Sequence, residues 1–154
     1  MLANKTMNHT IRIATPTDYD AISTLLADAQ MVPALYAPPS MWWVAVDRHH
    51  TVIGAIGVEP DLHAWLLRST VVDHSIRQKG IGKHLIATVE RAARGAGIET
   101  VFCFGTDVGD YWERRGYTVV PVAELCGHVP QAPQIGQFVA NGWLADEVAW
   151  RKDL

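Results

Sequence analysis

Only two cysteines, Cys103 and Cys126, occur in the 154 residues, too few for the disulfide framework of a small secreted scaffold and consistent with a reducing compartment. Long apolar runs are missing as well. Stretches such as Met41 to Val46 and Val52 to Val58 fall far short of the roughly 20 apolar residues that a membrane-spanning helix needs. The polar N-terminus has no signal-peptide core, so the expected location is the cytoplasm. A formal charge of −3 gives no general attraction to nucleic acid or to an anionic membrane. The seven histidines lack ligand spacing, and no metal site is expected. Nothing repeats and nothing is low in complexity. The length is that of one domain, expected over 10–154 after a flexible extension at 1–9, with Met7 an alternative start.

What is present alternates between strand and helix grammar. Thr10 to Ala14 reads as a strand, and Thr15-Pro16-Thr17-Asp18 as the start of a helix carrying Ile22, Leu25, Leu26 and Ala29 on one stripe. Three prolines then make Met31 to Ser40 a loop or a short second helix. Trp42 to Val46 and Val52 to Val58 flank a turn, as a hairpin does, and Trp65 to Val72 is a third run. Trp42 and Trp43 alternate, so one should face the core and the other a substrate pocket or a dimer interface. Further strands are expected at Thr100 to Phe104, Tyr117 to Val122 and Glu147 to Trp150, with a short helix from Val108 to Arg115 stopped by Gly116. Trp143 and Trp150, together with Gln131 to Gly142, suggest a C-terminal arm that closes a site or joins two subunits.

The segment His74-Ser75-Ile76-Arg77-Gln78-Lys79-Gly80-Ile81-Gly82-Lys83-His84-Leu85 leads from the third of these runs into a helix striped with Ile81, Leu85, Val89, Ala92 and Ala96. Glycines at a helix N-terminus let backbone N–H groups approach an anion, and the helix dipole favours negative charge there. Arg77, Lys79 and Lys83 add cations, and no acid interrupts them. The segment is therefore a candidate phosphate cradle. A dinucleotide fingerprint would need glycine where Leu85 stands, and a P-loop would need Ser or Thr where His84 stands.

The pattern Arg-x-x-Gly-x-Gly from Arg77 to Gly82 resembles the acyl-CoA-binding motif of the GNAT superfamily of N-acetyltransferases. Tyr111-Trp112-Glu113-Arg114-Arg115-Gly116-Tyr117 resembles a second segment of that superfamily. The likeness runs from about Ile11 to the C-terminus and implies an α/β fold with a mixed, mostly antiparallel sheet of about six to seven strands flanked by helices. It implies acetyl-CoA as co-substrate, its pyrophosphate held by Arg77, Gln78, Lys79, Gly80, Ile81, Gly82 and Lys83. The backbone of Val71 and Val72 would hold the pantetheine arm and polarise the thioester, with Trp112 as a wall beside the coenzyme. Gly57-Val58-Glu59-Pro60, Trp65 to Ser69 and the pair Tyr111-Trp112 are most similar to small amino-acid acetyltransferases related to N-acetylglutamate synthase, including enzymes that detoxify arsenic- or phosphorus-containing glutamate analogues.

Acetyl transfer needs a base for the amine and a proton for the departing thiolate. Many superfamily members use a tyrosine where Trp112 stands, and an indole is no acid. Tyr111 is therefore the candidate acid unless water serves or the thiolate leaves unaided, and its alternative role is that of a packing aromatic. Glu59 is the candidate base, with a solvated strand end as its alternative. Arg68, in an apolar strand, is either a clamp on a substrate carboxylate or half of an internal salt bridge. The expected function is direct transfer of an acetyl group to the amine of a small molecule, an amino acid or amino-acid-like toxin. Acetylation of a protein N-terminus or lysine, and a silent acyl-CoA sensor, are the alternatives.

Overall fold

β-Branched and aromatic residues alternate or run together at five places between Thr10 and Phe104 and at two more toward the C-terminus, and each becomes a strand. In the computed structural model, which describes residues 8–76, 80–105 and 110–154, the strands are β1 (His9–Ile13), β2 (Met41–Asp47), β3 (Val52–Pro60), β4 (Ala64–Val72), β5 (Thr100–Gly105), β6 (Thr118–Val120) and β7 (Val148–Asp153). The helices are α1 (Tyr19–Asp28), α2 (Ile81–Gly95), α3 (Val122–His128) and α4 (Pro133–Ala140). The sheet is seven-stranded and mostly antiparallel, in the order β1-β2-β3-β4-β5-β7-β6, with β4 and β5 parallel. Arg77, Gln78 and Lys79 of the cradle, and Thr106 to Gly109, lie outside the described residues.

The chain forms two compact units, one drawn from Met1–Gly57 and Ser69–Val89 and the other from Val58–Arg68 and Glu90–Leu154. In the first, β1 pairs with β2 from His9 opposite Asp47 to Ile13 opposite Trp43. Thr15 and Asp18 cap each other reciprocally at the 3-10 turn that opens α1. Arg12 clamps the Asp18 carboxylate through two hydrogen bonds of 2.8 and 3.0 Å, and this contact holds the carboxyl below its ordinary pKa. Ile22 and Leu26 of α1 pack with Trp42, Val44, Ala55 and Val71 into one apolar cluster. The residues between α1 and β2 stay irregular, and Tyr36 stacks on Tyr19 at 4.1 Å between ring centres.

Gly54 of β3 shows how closely α2 approaches the sheet. A side-chain carbon at Gly54 would lie 3.2 Å from both Ile81 Cγ2 and the Val71 carbonyl, and 3.3 Å from Leu85. The missing methyl thus sets the distance at which the first turns of α2 pack.

The second unit is built on β5, which pairs with β7 from Thr100 opposite Asp153 to Gly105 opposite Val148. Ala64, Leu66, Phe102, Leu125, Val129, Ala132 and Ala149 form its apolar cluster. Helix α4 occupies the stretch expected to be an arm, α3 precedes it, and Trp150 is fully buried. Of the two tryptophans assigned to that arm, Trp143 alone stays at the surface, 42% exposed. The expectation for Trp42 and Trp43 also needs correction: both are buried, at 3% and 6% exposure. A strand covered on both faces leaves no outward ring to wall a pocket or an interface. The expected helix from Val108 to Arg115 is, in its described part, a 3-10 turn at Glu113–Arg115.

Within the first unit, His9 Nε2 of β1 and His84 Nδ1 of α2 lie 2.8 Å apart. Two imidazoles at that distance share one proton, so both cannot be cationic without losing the contact. Burial, and then the neighbouring His84, lower the His9 pKa below the ordinary 6.5. A depressed histidine binds fewer protons folded than unfolded, so its stabilising contribution is present above pH 6.5 and is lost as the pH falls through the folded value. The thermal midpoint should therefore drop more steeply on acidification below that pH in the parent than in His9→Gln. Parallel midpoint curves for the two proteins would contradict this reading of the pair.

Candidate functional site

The anion-binding element is a helix start, and its backbone explains why. Gly80 has φ +79°, a left-handed conformation that a residue with a side chain adopts only at a cost, and among the described residues nothing lies within 4 Å of where a Cβ would stand. Conformation rather than crowding therefore selects glycine there. The Gly80 carbonyl accepts from His84 N–H at 3.0 Å, so Gly80 caps α2, and the first-turn N–H groups that follow have no partner inside the helix. The first turn contains no acid, and Lys83 is exposed. Upstream, Asp73 Oδ1 accepts from the Ser75 N–H at 3.0 Å and from its hydroxyl at 2.9 Å, turning the chain out of β4.

At the end of β4, Val71 is buried and belongs to the apolar cluster of the first unit, so its side chain is core. Pairing with β5 runs from Ala64 opposite Thr100 to Leu67 opposite Cys103. Two residues further on, Ser69 has φ +57°. An L-residue in that region costs on the order of 1–2 kcal/mol, and such strain persists where neighbouring structure imposes it. The inverted residue ends the run of buried positions from Ala64 to Arg68. No pattern in the sequence announces it, because serine carries no conformational signature of the kind glycine does.

In the second unit the structure brings Glu59 and Arg68 together. Arg68 Nη1 donates to Glu59 Oε2 at 3.0 Å, and both side chains are fully buried. The other carboxylate oxygen accepts the Gln134 N–H at 2.7 Å. Gln134 is the second residue of α4, whose N-cap position is Ala132 and makes no side-chain cap bond. Glu59 thus caps α4 from another strand, an anion at a helix N-terminus. Of the two alternatives for Arg68, the internal salt bridge is the one formed. Glu59 is no solvated strand end: its side chain is fully buried, and each of its oxygens accepts one of these hydrogen bonds. The sequence held no hint of the cap, since Glu59 and Gln134 stand 75 positions apart.

Tyr111 and Trp112 lie together at the turn after β5. Tyr111 is 38% exposed. Trp112 is half-buried, edge-on to Tyr111 at 5.3 Å and to Tyr117 at 5.0 Å between ring centres. Sequence reasoning passed over Tyr117. Its hydroxyl donates to Glu90 Oε2 at 2.8 Å, and Lys152 Nζ reaches Glu90 Oε1 at 3.0 Å. Burial and the adjacent Glu90 carboxylate push the Tyr117 hydroxyl far above its ordinary pKa. It cannot supply a proton near neutral pH, which leaves Tyr111 as the accessible phenol of this turn. Cys103 is buried, its thiol pushed well up by desolvation, so it is no nucleophile. Among the described residues no group of three or more His, Cys, Asp or Glu could hold a metal ion.

The family model of the acetyltransferase (GNAT) family matches residues 7–117. The chain belongs to the GNAT acetyltransferase family. The seven-stranded, mostly antiparallel sheet flanked by helices matches the GNAT fold of solved structures. One is N-acetylglutamate synthase from Neisseria gonorrhoeae, complexed with coenzyme A and N-acetyl-glutamate, at TM-score 0.75 and 18% identity over 95% of this chain. The present chain spans about a third of that protein, 35% of its length. A GNAT-family acetyltransferase from Staphylococcus aureus is similar at TM-score 0.71 and 14% identity, covering 95% of this chain and 99% of its own. A ribosomal-protein alanine N-acetyltransferase from Escherichia coli follows at TM-score 0.67 and 14% identity, covering 73% of this chain and 79% of its own. No curated protein matches.

If Glu59 is a structural node, removing its charge takes away both the carboxylate paired with the buried Arg68 cation and the cap on the Gln134 N–H. Glu59→Gln should then cost about 3–5 kcal/mol in urea unfolding, whereas Glu59→Leu combined with Arg68→Met should cost far less than the two single changes summed. A Glu59→Gln protein as stable as the parent would contradict the node.

Proposed function

We propose that this GNAT-family chain transfers the acetyl group of acetyl-CoA to the amine of a small molecule, an amino acid or an amino-acid-like toxin, by direct attack in a ternary complex. The observation that carries the reading is the start of α2: a left-handed Gly80, first-turn amides with no partner inside the helix and no acid in that turn, inside the matched region 7–117. A pyrophosphate fits that chemistry, and Arg77, Gln78, Lys79, Ile81, Gly82 and Lys83 are assigned to it with Gly80. The backbone of Val71 and Val72 is assigned to the pantetheine arm, and Trp112 to a wall beside the coenzyme.

In the proposed reaction the neutral amine nitrogen bonds to the thioester carbon and the carbon–sulfur bond breaks. The amine gives up one proton, and the thiolate takes one from the Tyr111 hydroxyl, which solvent then restores. Direct attack is favoured because Cys103 is buried and inert, and burial also raises the Cys126 thiol above its ordinary pKa. Because Arg68 and the α4 N-terminus engage Glu59, solvent rather than Glu59 is assigned the amine proton. The acceptor class rests on the likeness of Gly57 to Pro60 and Trp65 to Ser69 to amino-acid acetyltransferases, supported by the fold shared with N-acetylglutamate synthase. With both cysteines free and no described helix long and apolar enough to cross a membrane, a cytoplasmic setting suits the reading.

Purified protein with acetyl-CoA should release coenzyme A and yield a monoacetylated product, by mass, with at least one free amino acid or glutamate analogue in a panel that also holds aminoglycosides and peptides. Acetylation confined to peptides would overturn the acceptor class. Tight acetyl-CoA binding with no turnover on any acceptor would replace the enzyme with a sensor.

A further inference from the structure

Arg115 does two things to Tyr111. Its guanidinium carbon lies 3.6 Å from the centre of the Tyr111 ring, and its Nη1 donates to the Tyr111 carbonyl at 2.7 Å. One contact fixes the plane of the phenol and the other fixes the backbone that carries it. An exposed aromatic would otherwise sample several rotamers. Arg115 is itself held from behind, because Lys152 Nζ of β7 donates to its carbonyl at 2.8 Å while remaining 3.0 Å from Glu90. The Lys152 stem lies where a Cβ on Gly116 would stand, 3.2 Å away at Cε, so the glycine that ends the turn also admits the lysine. A tether thus runs from the buried Glu90 carboxylate through Lys152 and Arg115 to an exposed phenol. Among the described residues the other charged side chains of the turn are Asp110, Glu113 and Arg114, and Arg114 is committed to Asp110 at 2.8 Å.

We infer that Arg115 is a positioning residue for Tyr111, holding its hydroxyl where it protonates the departing thiolate of coenzyme A. The inference rests on the acetyl transfer proposed above, with Tyr111 as its acid. A geometric role of this kind acts on turnover and not on coenzyme binding, and displacing a reacting group by about 1 Å is worth on the order of 100-fold in rate.

Steady-state kinetics of Tyr111→Phe, Arg115→Met, Arg115→Lys and the double variant Tyr111→Phe/Arg115→Met test this, using the acceptor that turns over fastest and, in parallel, water as acceptor. Tyr111→Phe should lower kcat about 100-fold, and Arg115→Met about 10-fold, each with the acetyl-CoA KM within about twofold of the parent's. Arg115→Lys should recover part of the loss, since an ammonium can still sit over the ring. The double variant should be no slower than Tyr111→Phe alone, because Arg115 has nothing left to position. Full activity in Tyr111→Phe would remove the acid and the inference with it. A slow Tyr111→Phe beside an unimpaired Arg115→Met, or a double variant slowed by the product of the single effects, would overturn the positioning role and leave the acid standing. An Arg115→Met protein that fails to fold is replaced by Arg115→Lys, for which unaltered kcat would likewise overturn the role.

Discussion

A helix that starts without an acidic side chain leaves several N–H groups pointing outward, and that requirement organises the first unit. The chain must leave β4 cleanly, which the Asp73 turn onto Ser75 achieves. It must reverse at a left-handed residue, which Gly80 supplies. The helix that follows must lie close to the sheet, and the bare backbone of Gly54 permits that against Ile81 and Leu85. None of these features gives the unit more apolar surface to bury than a longer side chain would. Their common effect is to fix where the donors of α2 stand, and a helix start of this kind favours an anion.

The second unit is organised by a buried carboxylate instead. Glu59 enters the interior only because Arg68 and the N–H of Gln134 satisfy its two oxygens, since an unpaired buried charge is prohibitively costly. Two strands and a helix are thereby locked together by one group. Glu90 does the same elsewhere in that unit, with Tyr117 and Lys152 as its partners. Glu59 and Arg68, which look catalytic in the sequence, pair with one another in the interior, while the Tyr111 phenol stays 38% exposed. Trp112 is packed edge-on between Tyr111 and Tyr117.

Much of this was legible beforehand where the signal is local. β-Branched runs gave the strands at Val52 and Thr100, helical spacing of Ile22 and Leu26 gave α1, and the glycine pattern gave the start of α2. Helices α3 and α4 escaped because seven and eight residues are too few for a periodic stripe, and Gly127 and Gly136 argue against them; Pro133 at the head of α4 was the available cue. The Glu59 bridge escaped for another reason: its partner in α4 is remote in sequence, and charge pairing across such a distance leaves no pattern in a single chain. Whether an arginine in an apolar strand faces a ligand or a buried acid is decided by tertiary structure alone.

Calorimetric titration of the purified protein with coenzyme A and with pantetheine tests the central claim, that the start of α2 receives the pyrophosphate. Coenzyme A should bind about 100-fold more tightly, the loss expected when two charge-assisted hydrogen bonds of about 1.5 kcal/mol each are absent. Equal affinity for the two ligands would place the coenzyme's phosphates elsewhere and contradict the account.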